Sequence, residues 1–164
     1  MITLECAIEA PWPPDPDWAE LACHAAGALC AAAPELANPR LSVSILFTSD
    51  AEVQALNREW RDKDKPTNVL SFPMLDRAEL LALKQAGPPE MLGDIALAHA
   101  TCAREAADKG VPLSDHATHL IIHGLLHLAG HDHEISALDA EAMEKLEIKA
   151  LAQLGIPDPY GSDH

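Results

Sequence analysis

No stretch of this 164-residue chain approaches the roughly 20 consecutive apolar residues of a membrane-spanning helix, which excludes that class of span. The first residues, MITLECAIEAPWPP, carry no basic start and no apolar signal core, so a cytoplasmic protein is expected. The four cysteines (Cys6, Cys23, Cys30 and Cys102) include no C-x-x-C pair and read as reduced, mostly buried thiols. Internal repeats and low-complexity blocks are also missing. Basic residues are scarce, at 11 Lys and Arg against 26 Asp and Glu, for a net charge of −15. That balance favours solubility and opposes non-specific binding of nucleic acid. Four of the basic residues, Arg58, Arg61, Lys63 and Lys65, nevertheless fall within eight positions. Glu59, Asp62 and Asp64 dilute them to a local net of +1, and by charge alone the stretch reads as a solvated polar loop.

What is present is ordinary globular material, 48% hydrophobic and 23% charged, at a length that suits one domain over 1–164. Alternation predicts strands over 2–8 and 41–47, with a short apolar strand at 68–72 and another at 94–98. A Pro-rich turn follows the first strand, and Asp17 then caps an Ala- and Leu-rich helix to about Ala33. Helices are expected from Ser49-Asp50 to about Arg58, and over 99–109, 114–128 and 136–154. Residues 74–91 hold a short amphipathic stretch and then Gly87-Pro88-Pro89, and read as a surface excursion, with the tail from Pro157 loose. Adjacent strands near 70 and 96 break strict β-α-β alternation. The expected class is therefore α+β, a small mixed sheet of about four strands packed with five to six helices.

One segment stands apart. Residues 123–133 read HGLLHLAGHDH, with histidines at H-x3-H-x5-H. His123 and His127 lie about 40° apart around one helix face, so both imidazoles can approach one ion from the same side. Gly130 can take the left-handed conformation that ends a helix, letting the chain reverse and return His133 to the same ion. Three neutral imidazoles with an open fourth position form the donor set of a catalytic zinc. Imidazole also suits nickel, copper and iron. The spacing matches zinc proteases of H-E-x-x-H type, but Gly124 stands where their general-base glutamate would be, which argues against peptide hydrolysis. Room for a substrate or another backbone is one reason for a helical Gly there.

HGLLHLAGHDH resembles the signature of the YbeY endoribonucleases. LNREWRDKDKPTNVLSFP (56–73) and LGDIALA (92–98) are similar to two further blocks of that family, in the same order. The resemblance spans roughly 41–154. It implies a zincin-like metal helix and a zinc-dependent endoribonuclease, specific for single-stranded RNA. Such an enzyme acts in ribosomal RNA maturation, including the 3′ end of 16S rRNA, and in ribosome quality control. It implies His123, His127 and His133 as the zinc ligands and Arg61 as a functional arginine, whose planar fork suits phosphate. Small-subunit ribosomal proteins and an assembly GTPase are implied partners, with neither DNA nor a membrane involved. His131 stands where many relatives carry Tyr, and it and Asp132 are candidates for proton transfer; Asp132 equally suits orienting a ligand imidazole. A metallopeptidase-like hydrolase and a non-catalytic, zinc-stabilised assembly factor are the alternatives.

The remaining polar residues read more plainly. His116 and His119 could extend the site but are expected as polar-face or capping residues, and His24 and His99 are expected as structural. Asp94, beside a strand start, could reach the site but is expected to make a structural hydrogen bond. Ser71 and Thr67 could hydrogen-bond a phosphate or a turn. Trp60 is expected to anchor its loop, with base stacking as the alternative.

Overall fold

The computed structural model describes residues 2–131 and 137–160. Its elements run β1 (Thr3–Ile8), α1 (Trp18–Ala32), a 3-10 turn (Pro34–Ala37), β2 (Leu41–Thr48), α2 (Asp50–Arg61), β3 (Val69–Pro73), α3 (Arg77–Ala82), β4 (Glu90–Ala98), α4 (His99–Lys109), α5 (Leu113–Leu128) and α6 (Ala137–Gln153). Local chemistry sets the helix starts. Asp17 accepts from the Glu20 amide at 3.1 Å and Ser49 from the Glu52 amide at 3.2 Å, each satisfying a donor the helix cannot.

The sheet order is β1-β2-β4-β3. β1, β2 and β4 are mutually parallel, and β3 closes the edge antiparallel to β4. This is the mixed α+β sheet expected. β2 sits inside it, and Leu41, Val43, Ile45 and Phe47 alternate into the main core beneath α1, α5 and α6. Fully burying such a side chain contributes roughly 1.5–3 kcal/mol. A smaller cluster (Val53, Leu70, Ala96 and Ala98) lies under α2 on the opposite face. The sheet thus separates α2 from the helix that carries the histidine motif.

Several expectations change. β4 starts at Glu90 rather than Asp94, because an interior strand pairs along the length of β2, from Leu41↔Glu90 to Thr48↔Ala98, through a bulge at Ser42/Val43. The 74–91 excursion contains a real helix, α3, which Asp76 and Glu79 start with a reciprocal capping box. α2 extends to Arg61, so that arginine ends a helix instead of sitting in a loop. Of the cysteines only Cys102 is buried, while Cys23 is exposed. The start of the 136–154 helix expectation, Ser136, lies outside the described residues. Among the described residues no helix is long and apolar enough to cross a membrane.

Candidate metal centre

α5 is apolar on most of its circumference. Ile121, Ile122, Leu125, Leu126 and Leu128 are all fully buried, which fixes the rotation of the helix. Gly124 is part of that seating. A Cβ there would stand 3.0 Å from Ile95 Cδ1 and 3.2 Å from Ser71 Oγ. The room it leaves is taken by β4 and β3, which α5 crosses. Ser71 therefore packs beneath the metal helix. A glutamate in place of Gly124 would point into the sheet, against Ile95 and Ser71, which would have to give way.

The C-terminus of α5 is a Schellman turn. Gly130, at φ +93°, donates to His127 O at 3.0 Å, and His131 donates to Leu126 O at 3.0 Å. The helix stop expected at Gly130 is present. Its surroundings were not foreseen. Arg77 Nη1 of α3 donates to Ala129 O at 2.7 Å, and a Cβ on Gly130 would lie 2.6 Å from Arg77 Cβ. Arg77 also approaches Glu35 at 3.5 Å, and Glu35 lies 4.0 Å from His131 Nε2. Burial, then the nearby Arg77 charge, lowers the His131 pKa. His131 thus turns toward Glu35 of the 3-10 turn, which does not favour it as a proton carrier beside His123.

This seating brings His123 and His127 together. Their Nε2 atoms stand 3.0 Å apart, as the i, i+4 spacing anticipates. On its other side, His123 Nδ1 donates to Glu147 Oε1 of α6 at 2.5 Å. Glu147 is fully buried. Its second oxygen, Oε2, accepts from His119 Nε2 at 3.2 Å and from the Tyr160 hydroxyl. Burial alone would raise the Glu147 pKa. The hydrogen bonds it accepts from His119, His123 and Tyr160 outweigh that and hold the carboxyl below the usual carboxylate range. An ionised acceptor requires the proton of His123 to sit on Nδ1, leaving Nε2 with its lone pair beside His127.

That arrangement fits a metal. Two nitrogens 3.0 Å apart lie within the span of two Zn–N bonds of about 2.0–2.1 Å. A carboxylate behind a ligating imidazole is the usual outer support of such a site. Among the described residues no group of three or more His, Cys, Asp or Glu side chains is gathered to hold an ion. The expected third ligand, His133, and its neighbour Asp132 lie outside the described residues.

Arg61, the other expected site residue, is exposed at the C-terminal end of α2. It borders the connection to β3, the edge strand against which α5 packs from the opposite face. The structure does not bring Arg61 into contact with the histidine pair among the described residues. Trp60 is 67% exposed and does not anchor a loop. It borders an apolar cleft of about 550 Å³ on the α2 face of the sheet. Asp94 lines the same cleft, and its carboxylate makes no hydrogen bond among the described residues, so the structural side-chain bond expected of it is not found.

His116 and His119 are neither capping nor polar-face residues. Both are buried. His116 Nε2 pairs with Glu105 at 2.9 Å, and the Asn68 amide donates to the same carboxylate. His119, His116 and His123 border a polar cleft of about 360 Å³, with Asn68, Glu105 and Lys109 on its walls. His99 packs edge-on to Trp12 at 5.1 Å, as a structural histidine would, whereas His24 is exposed beside Glu20 on the surface of α1.

Sequence reasoning missed Glu147 and Tyr160. The signal for Glu147 was available. It shares one helical stripe with Met143, Ala150 and Leu151, where an isolated acid among apolar residues implies a buried partner.

The family model described as "Endoribonuclease YbeY" matches residues 17–155. The chain belongs to the YbeY endoribonuclease family. A member from Erythrobacter litoralis (strain HTCC2594), named Endoribonuclease YbeY, is 65% identical over 96% of this chain and 97% of its own. The protein of the same name from Novosphingobium aromaticivorans is 58% identical over 96% of this chain and 95% of its own. The solution structure of TM1509 from Thermotoga maritima superposes with a TM-score of 0.61. It is 21% identical over 99% of this chain and 97% of that one. At that identity the likeness concerns the fold, and it is the fold of the whole chain.

Proposed function

We propose that this chain is a zinc-dependent endoribonuclease that cuts single-stranded RNA during ribosomal RNA maturation. Membership of an endoribonuclease family supports the reaction class. The observation that carries the metal is the pair of Nε2 atoms 3.0 Å apart, with His123 Nδ1 held by a buried carboxylate. His123, His127 and, from the sequence pattern, His133 would hold the ion. When bound, zinc supplies Lewis acidity and a water ionisable near neutral pH.

The protein's own groups do the rest. Glu147 keeps the His123 lone pair directed at the ion. Arg61, at the end of a helix and exposed, is available to a phosphodiester as a planar, permanently charged fork. Its part is to bind and neutralise phosphate as charge develops there. A net charge of −15 gives the chain little unaided attraction for RNA, which favours presentation of the substrate by a partner; the proposed setting is the ribosome in the cytoplasm, and the proposed cut lies at the 3′ end of 16S rRNA. Small-subunit proteins and an assembly GTPase are the proposed partners, and quality control of ribosomes is the proposed wider role.

The test is cleavage of a labelled single-stranded RNA, with and without chelator, beside His127→Ala and Arg61→Ala purified identically. Activity is expected to vanish on chelation, to return with zinc, and to fall at least about 100-fold in both variants. Cleavage unchanged in the variants would identify a contaminating nuclease and leave a non-catalytic assembly role.

A further inference from the structure

Glu147 is the one fully buried charged side chain among the described residues, and its two oxygens receive donors from two separate segments. His123 and His119 come from α5, Glu147 itself from α6, and Tyr160 from the chain beyond α6. Burying a carboxylate is costly unless it is fully hydrogen-bonded. Met143, Ala150 and Leu151 already seat α6 in the apolar core. The acid therefore calls for a reason beyond packing.

We propose that Glu147 is a positioning residue for the metal centre, and that Tyr160 ties the C-terminal segment to that function. Glu147 Oε1 holds the His123 proton on Nδ1 and so presents Nε2 as a lone pair. The negative charge behind the ring raises the basicity of that lone pair toward a cation. His119 and Tyr160 grip the other oxygen and prevent the carboxylate from rotating away. A segment expected to be a loose tail thereby becomes part of the ligand support. Tyr160 is half-buried, and its backbone amide is held by Asp158 Oδ1 at 2.8 Å. The inference rests on the proposal that His123 and His127 hold an ion. It adds that the ion's affinity is set from 24 and 37 residues downstream of His123.

The experiment uses the full chain and zinc alone, without RNA. Zinc affinity is read by competition with a chromophoric chelator for wild type, Glu147→Gln, Tyr160→Phe and His127→Ala. The tautomer of His123 is read in the metal-free proteins from its ring nitrogen chemical shifts. Wild type is expected to carry the proton on Nδ1. Glu147→Gln is expected to bind zinc about 10- to 100-fold more weakly and to lose the single tautomer. Tyr160→Phe removes one oxygen from a half-buried ring, folds as wild type, and is expected to weaken zinc several-fold.

Wild-type zinc affinity in both Glu147→Gln and Tyr160→Phe, with His123 still protonated on Nδ1, would overturn the inference while leaving the metal reading intact. Wild type that binds zinc no better than His127→Ala would overturn the metal reading, and the inference with it. If Glu147→Gln does not fold, Tyr160→Phe decides alone: unchanged affinity refutes the clamp.

Discussion

Single atoms decide what the histidine pair can do. His123 has two ring nitrogens, and the carboxylate on Nδ1 leaves the lone pair to Nε2, the atom that meets His127. Gly124 is decided by contact as well. Its absent side chain lets α5 lie directly on Ile95 and Ser71, so the closeness serves the sheet and leaves no space for substrate. A Gly124→Leu substitution would gain about 1 kcal/mol in helix propensity, but it must push α5 away from β3 and β4. The expected net result is a loss of about 1–3 kcal/mol in urea unfolding, together with weaker zinc binding. Unchanged stability in that variant would show that the close seating is dispensable.

The metal helix is held at its end by a neighbour that its own sequence does not announce. The Schellman turn at Ala129–His131 follows from Gly130, but Arg77 of α3 supplies the charged donor on Ala129 O. A cation also complements the negative end of the helix dipole. Arg77→Ala is expected to cost about 1 kcal/mol, measured by the urea midpoint at constant slope, since its side chain is partly exposed. Arg77→Lys should recover part of the loss, because a single ammonium reaches either Ala129 O or Glu35 but not both. Full stability in Arg77→Ala would mean that the turn is set by Gly130 alone. The period of α5 was legible because it is local, and so was its stop. The helix hidden in the 74–91 excursion was masked by the surrounding Gly and Pro residues, although Asp76 and Glu79 carry a legible capping box.

Across the whole molecule, the chain pairs buried imidazoles with carboxylates supplied by distant elements. His116 faces Glu105 and Lys109 of α4 and His119 on its own helix. Burial lowers its pKa, against the partial opposition of the Glu105 hydrogen bond. The unfolded chain therefore takes up its proton first as the pH falls, so stability is full above the ordinary histidine range and is lost below it. The urea midpoint is expected to drop between about pH 7.5 and about pH 5.5, and His116→Gln should drop less. An equal drop in that variant would place the effect on other groups.

By itself the sequence determined what depends on near neighbours along the chain. It set the first two strands through alternation, the placing of His123 and His127 on one face, and the left-handed stop at Gly130, because periodicity and backbone sterics act over a few residues. Only the tertiary structure decided which distant groups meet. It put β3 on the sheet edge beneath α5 and turned Asp94 to the opposite face from the histidines. It also aimed His131 at Glu35 and closed Glu147 around His123, His119 and Tyr160. Those contacts join residues many positions apart. What selects them is the burial of apolar faces on both sides of one sheet, which no local pattern in the chain encodes.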